Sequence, residues 1–143
     1  MGNSDITTHK FAVLLDRKVE LPILMNALAH VTVSLIERLP EALKAETGII
    51  DFVDADGNSH PLSKNSYVIL KADNGNKIRR CRQEAQQAGV HFADFTNTTY
   101  LSTYLDQIEQ TKSTKEENLD YFALALFGKK EQVEALTKRY SLW

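Results

Sequence analysis

The chain has 143 residues, of which 43% are hydrophobic and 25% are charged. These values are typical of a soluble protein with one core, so we predict a single domain over residues 1–143. They exclude a disordered chain, a collagen-like repeat and a disulfide scaffold. The formal net charge is -2, from 17 Lys and Arg against 19 Asp and Glu. Because nucleic-acid-binding domains are usually strongly basic, we predict no strong nucleic-acid binding.

Cysteine content and hydropathy indicate the cellular compartment. Cys81 is the only cysteine, so neither an internal disulfide nor a four-cysteine zinc site can form. One cysteine is typical of a reducing compartment. The longest apolar run, residues 121–127, is too short to cross a bilayer, and residues 1–10 lack the apolar segment of a signal peptide. We expect a cytoplasmic protein without a membrane segment, in which residues 1–8 form a flexible tail.

In the first half of the chain, apolar runs and helical spacings predict three strands and one helix. In chain order they are a strand at 10–16, a helix at 20–39, and strands at 48–53 and 59–62. Pro22 suits the first turn of the helix, and Pro40 ends it. Its buried face is predicted to consist of Leu24, Leu28, Val31 and Leu35. Residues 54–58 contain an Asp-Gly pair, which favours a hairpin turn between the second and third strands.

In the second half, strands and helices alternate. In chain order they are predicted at 67–72 (strand), 74–88 (helix), 91–95 (strand), 99–109 (helix), 121–127 (strand) and 130–139 (helix). Gly89 is placed to cap the first of these helices. The helix at 99–109 is predicted to turn Leu101, Leu105 and Ile108 inward, and residues 110–118 to form a surface loop. This alternation predicts α/β layers around a largely parallel sheet.

Motifs that identify common enzymes and cofactor sites are missing. The sequence has no glycine-rich phosphate loop, no dinucleotide fingerprint and no nucleophile elbow. Asp54, Asp56 and His60 could approach a divalent cation, but a hairpin with solvated carboxylates is favoured because the other positions of a calcium loop are lacking. Cys81 falls on the apolar stripe of its helix and is predicted to be buried and inert. We predict no cofactor and no metal.

A candidate site follows from the strand at 91–95. Asp94 lies near its C-terminal end and Thr98 in the turn just after it. In open α/β sheets the ligand crevice lies at the carboxyl ends of the strands. A carboxylate and a hydroxyl there could orient a water or bind a substrate hydroxyl. Capping of the following helix is the alternative role of Thr98.

Three further residues are candidate binding groups. Asn26 and His30 are four residues apart and share one helix face, which either faces solvent or faces the crevice of Asp94. Lys71 ends its strand, where it is either solvated or supplies a cation. A basic group, Lys77, Arg79, Arg80 and Arg82, could contact phosphates, but an ordinary solvated helix face is favoured. The main concavity is expected at the C-terminal ends of the strands at 10–16 and 91–95, bordered by the start of the Pro22 helix.

Residues 10–143 resemble the bacterial family called domain of unknown function 2000. The match is carried by FAVLLD (11–16), NALAH (26–30), DFVDADGNSHPLS (51–63), YVILKAD (67–73) and YFALALFGKKEQVEALT (121–137). That family resembles the type II peptidyl-tRNA hydrolases. The resemblance implies a peptidyl-tRNA-hydrolase-II-like fold, a three-layer α/β/α sandwich with a mixed, mostly parallel sheet.

The hydrolase pattern is retained only in part. Its Ala-His pair matches Ala29 and His30, and its acid and threonine match Asp94 and Thr98. The lysine that follows the first strand has no counterpart, since residues 20–23 read ELPI. We therefore predict no peptidyl-tRNA hydrolysis.

Two functions remain open. The first is a module that binds a small molecule or a partner near Asp94, Thr98, Asn26 and His30. The second is an ester or amide hydrolase, with an RNA-linked substrate as one option, that uses Asp94 and Thr98. A nitrogen of Lys71 or His30 close to Asp94 would favour the enzyme. A homodimer is left open as the oligomeric state.

Overall fold

A computed structural model of the protein describes residues 7–143. The strands are β1 (His9–Asp16), β2 (Ile49–Val53), β3 (Ser59–Ser63), β4 (Ser66–Ala72), β5 (His91–Thr96), β6 (Tyr121–Lys129) and β7 (Ser141–Leu142). The helices are α1 (Leu21–Arg38), α2 (Glu41–Lys44), α3 (Gly75–Ala88), α4 (Tyr104–Lys112) and α5 (Lys130–Thr137), and Glu116–Asn118 form one 3-10 turn. Most of the tail predicted for residues 1–8 lies outside the described residues. The three shortest elements, namely β7, the 3-10 turn and α2, were not predicted from the sequence.

The main sheet has five strands in the order β5-β6-β1-β4-β7. β1 pairs with β4 in parallel, whereas β6 is antiparallel to both of its neighbours and β7 is antiparallel to β4. The predicted mixed sheet is confirmed, but the prediction that it is mostly parallel is wrong, since only one of these pairings is parallel.

The connection between β5 and β6 explains this difference. A parallel neighbour would need a crossover that returns the chain to the end of the sheet where β5 begins. Here the chain stays at the end where β5 stops. The Asn97 N–H donates to the Asp120 carbonyl at 2.9 Å, and the Asp120 N–H donates to the Asn97 side chain at 2.9 Å. The strand β6 therefore starts beside the end of β5 and runs back along it.

Helices cover both faces of the main sheet, so the architecture has three layers. On one face, α1 packs through residues that are at most 1% exposed, namely Leu24, Ala27, Val31 and Leu35. This matches the predicted buried face, except that Leu28 is only partly buried. On the other face α3 and α5 pack through Ile78, Cys81, Ala85 and Val133. The start of α3 approaches β6 closely, because a Cβ on Gly75 would lie 2.9 Å from the Tyr121 carbonyl oxygen.

The helix predicted at 99–109 differs from the structure in position and in packing. α4 begins at Tyr104, where the Thr103 hydroxyl accepts the N–H of Asp106. The prediction that Leu101, Leu105 and Ile108 point inward is wrong: they are 62%, 76% and 60% exposed. The reason is the same connection, since α4 lies beside the sheet edge rather than across a sheet face. Residues 110–112 belong to this helix and not to the predicted loop.

β2 and β3 form a separate two-stranded hairpin that is largely exposed. In its turn the Asp54 carboxylate accepts the N–H groups of Asp56 and Asn58, each at 2.9 Å, and lies 2.9 Å from His60 Nε2. The hydrogen bond from His60 and those from the backbone lower the pKa of Asp54 to about 2. The predicted hairpin is confirmed, and its carboxylate serves the turn itself.

Candidate ligand-binding site

A cavity of about 680 Å³ lies along the outer edge of β5. We call it the edge cavity. Its walls come from α1, from β5, from the segment between β5 and α4, and from the first turn of α4. The lining residues are Asn26, His30, Val31, Ser34, Asp94, Phe95, Thr99, Tyr100, Ser102, Thr103, Tyr104 and Gln107. The cavity therefore combines a helix face, a strand edge and a connecting segment.

The α1 wall follows from helical spacing. Asn26, His30 and Ser34 are successive positions four residues apart, so they project from one face next to the buried stripe that includes Val31. The edge cavity begins at Asn26: Glu20, Leu21 and Pro22 do not line it. The predicted border at the start of the helix is therefore not observed, and the cavity lies farther along α1.

Aromatic side chains form one side of the edge cavity. The rings of His30 and Phe95 have centroids 6.1 Å apart, and Phe95 contacts Phe122 at 6.4 Å. Tyr100 packs on Phe122 at 5.4 Å with the two rings tilted by 60°. Such distances and tilts are favourable for aromatic pairs. They hold Phe95 and Tyr100 in fixed orientations at the cavity.

The connecting segment is held by its own hydrogen bonds. Ser102 has φ 72°, a left-handed conformation that side-chain-bearing residues seldom adopt. The Gln107 amide donates to the carbonyls of Leu101 at 3.1 Å and Ser102 at 3.3 Å, and the Ser102 hydroxyl donates to the Asp106 carboxylate. These contacts compensate for the unfavourable backbone at Ser102 and shape the cavity wall.

Asp94 reaches the edge cavity, but its carboxylate is engaged elsewhere. Phe92 packs with the core under α3, whereas Ala93 packs with the core under α1. Since side chains alternate along a strand, Asp94 points to the α3 side. There its Oδ2 lies 2.8 Å from Arg82 Nε. Burial acts to lower the pKa of Arg82, but the hydrogen bond and charge of Asp94 outweigh it, and the pKa is raised.

Thr98 is sealed inside the protein and does not line the edge cavity. It is 1% exposed, and its hydroxyl lies 2.8 Å from that of Thr96 and 2.7 Å from that of Thr111 in α4. The predicted capping role is not observed either, since Thr103 caps α4. Thr98 instead ties α4 to the end of β5.

Lys71 is far from Asp94. It lies on β4, and β1 and β6 separate that strand from β5, which places the two backbones roughly 14 Å apart at the usual strand spacing. The structure thus brings together Asn26, His30 and Asp94 but neither Thr98 nor Lys71. Sequence reasoning missed Ser34, Tyr100, Tyr104 and Gln107. Only Ser34 carried a signal, because it continues the spacing of Asn26 and His30.

The four basic residues of α3 project from different sides of the helix: within residues 7–143, Arg79 and Arg82 face carboxylates of the protein, whereas Lys77 and Arg80 do not. Arg79 Nε lies 2.9 Å from a Glu116 carboxylate oxygen, which also accepts the Tyr121 hydroxyl at 2.8 Å. Burial and this hydrogen bond raise the pKa of Tyr121 to about 12, while the tyrosine and Arg79 lower the pKa of Glu116. Arg79 and Arg82 are therefore internal structural cations. Cys81, between them, is fully buried, which raises its pKa to about 12.

Residues 7–143 contain neither a metal-binding cluster of side chains nor a membrane-spanning helix. In that part of the chain, no three His, Cys, Asp or Glu side chains gather where they could hold a metal ion. Among the same residues, no helix combines the length and apolar character needed to cross a membrane.

The fold and the edge cavity define a class: a small three-layer α/β protein with a mixed sheet and a cleft along one sheet edge. Over residues 9–143 the chain matches the family described as "Protein of unknown function (DUF2000)". The chain belongs to this family. Comparison with curated proteins gave no match.

A solved structure shares the fold. It is that of a protein of unknown function, Atu0240, from Agrobacterium tumefaciens strain C58, with a TM-score of 0.78 and 16% sequence identity. The similarity covers 96% of this chain and 99% of that chain. At this identity the likeness supports the fold alone.

Proposed function

We propose that this protein is a binding module whose small ligand occupies the edge cavity, and that it lacks peptidyl-tRNA hydrolase activity. The observation that carries the proposal is the make-up of the cavity wall. Hydroxyl, amide and aromatic groups line the cavity together, and its volume of about 680 Å³ is usual for small-molecule sites. The two groups that a hydrolase of the predicted kind would use are not free in the wall, because the Asp94 carboxylate faces Arg82 and Thr98 is enclosed.

The same wall indicates the chemistry of the ligand. Within residues 7–143, the wall contains no lysine or arginine and a single carboxylate, Asp94, which is paired with Arg82. Tyr100 and Tyr104 offer ring surfaces, while Asn26 and Ser34 offer hydrogen bonds on α1. A neutral, ring-containing polar molecule fits this combination, because stacking and neutral hydrogen bonds would supply its affinity.

The relation to type II peptidyl-tRNA hydrolases is part of the proposal. The three layers, the mixed sheet and the retained Ala29-His30 pair support it. The missing lysine supports the loss of that activity, because no lysine occurs between Val19 and Met25. Lys71 does not replace it, since β6 and β1 lie between its strand, β4, and the strand of Asp94, β5.

An ester or amide hydrolase using Asp94 and Thr98 is the second candidate. It is favoured by one observation, the position of Asp94 in the cavity wall. It would require Arg82 to release the carboxylate and Thr98 to leave its two hydroxyl partners.

The experiment is the capture of ligands from a small-molecule extract, followed by mass spectrometry. Ser34→Trp fills the edge cavity from an exposed position on α1, and Val33→Trp places the same side chain at a neighbouring position that is 63% exposed and outside the cavity wall. Wild type and Val33→Trp should retain the same ring-containing compounds, and Ser34→Trp should lose them. Equal retention by Ser34→Trp would contradict the proposal.

A further inference from the structure

A second, smaller cavity of about 150 Å³ lies where β4 ends and α3 begins. We call it the basic cavity. Cationic residues line it from three segments of the chain: Lys71 on β4, Lys77 and Arg80 on α3, and Arg139 after α5. It lies toward the β7 edge of the main sheet, whereas the edge cavity lies beyond β5 at the other edge.

Positive charge in the basic cavity is only partly compensated. Asp73 is its one acidic lining residue, and that carboxylate lies 3.3 Å from Arg17 Nε. Arg139 lies 2.7 Å from a Glu84 carboxylate oxygen. Lys77 and Arg80 form no ion pair within residues 7–143. A chain of net charge -2 thus concentrates cations at one concave place.

The start of α3 adds to this positive potential. Its first turn carries no acidic residue. The N–H groups of a helix N-terminus favour an anion, and of those in α3 the Asn74 side chain accepts the one from Lys77 at 3.0 Å. Arg79 and Arg82, on the same helix, face Glu116 and Asp94 instead. The cations of the basic cavity are therefore distinct from Arg79 and Arg82, and among them Arg139 alone has a carboxylate partner in the described part of the chain, Glu84.

We propose that the basic cavity binds the phosphate group of a small phosphorylated compound. Its volume of about 150 Å³ equals that of roughly five liquid water molecules. That space accepts one phosphate group and its nearest atoms. The Arg80 guanidinium suits two phosphate oxygens at once, and the ammonium groups of Lys77 and Lys71 suit a point contact.

The test is a titration of the full chain with inorganic phosphate at constant ionic strength. Binding is measured by calorimetry and by the chemical shifts of the backbone amides. We expect saturable binding with shifts at the start of α3. Lys77→Ala and Arg80→Ala should each weaken it about tenfold, as expected for loss of a charge-assisted contact. Lys115→Ala, which removes an exposed cation outside the basic cavity, is the matched control and should leave the affinity unchanged.

Parallel titrations distinguish the sources of the phosphate group. Glycerol 3-phosphate should bind at least as tightly as inorganic phosphate, and vesicles of phosphatidylcholine with phosphatidic acid should not bind. Shifts that grow linearly without saturation, equal affinity in Lys77→Ala and Arg80→Ala, or binding to the vesicles alone would overturn the proposal. Because the basic cavity and the edge cavity lie at opposite sheet edges, the Ser34→Trp variant should bind phosphate normally whatever its effect on the edge cavity.

Discussion

Replacement of Thr98 by valine separates a structural role of its hydroxyl from a catalytic one. Valine keeps the shape of threonine, so it opens no cavity at this 1% exposed position. It removes two hydrogen bonds, to Thr96 at 2.8 Å and to Thr111 at 2.7 Å. A buried hydrogen bond contributes about 0.5–1.5 kcal/mol to stability, so the free energy of unfolding should fall by about 1–3 kcal/mol.

The assay is equilibrium unfolding in urea, with the dependence on urea concentration expected to stay constant. Thr114→Val is the control, since the Thr114 hydroxyl donates to the carbonyl of Gln110, four residues earlier in the chain, and not across the fold. Its effect should stay within about 0.5 kcal/mol. Ligand retention by folded Thr98→Val should equal that of wild type. Unchanged stability together with lost binding or lost hydrolysis would refute the reasoning and favour the hydrolase.

Two further predictions concern single titrating groups. Burial raises the pKa of Cys81 to about 12, so the native protein should not react with iodoacetamide at about pH 8. Protein unfolded in urea should react fully. Rapid labelling of the native protein would contradict this prediction. The Asp54 pKa is lowered from 3.8 to about 2, so its contribution to the hairpin is complete above the unfolded value and is lost as the pH falls through about 2. NMR titration of the carboxyl should show this, and His60→Ala should return the pKa toward 3.8; a wild-type value already near 3.8 would show that the His60 contact does not form in solution.

The apolar pattern of the sequence determined most of the secondary structure. β1 and the buried stripe of α1 follow from it directly. A strand buried on both faces gives a continuous apolar run, whereas a helix with one buried face gives apolar residues three or four positions apart. The cap at Gly89, where φ is 71°, also follows from the sequence, since glycine tolerates the left-handed conformation. Asn26 and His30 were found as cavity residues for the same local reason, their shared helix face.

What the tertiary structure decided depends on contacts between residues distant along the chain. The direction of β6 follows from the hydrogen bonds between Asn97 and Asp120, which no local pattern encodes. Asp94 lies at the expected strand end, but its partner Arg82 becomes a neighbour only when α3 packs on the sheet. Positions two apart on a helix project in different directions, so Arg80 does not share this contact. Arg82 therefore pairs with Asp94 beside the sheet, whereas Arg80 lines an open cavity.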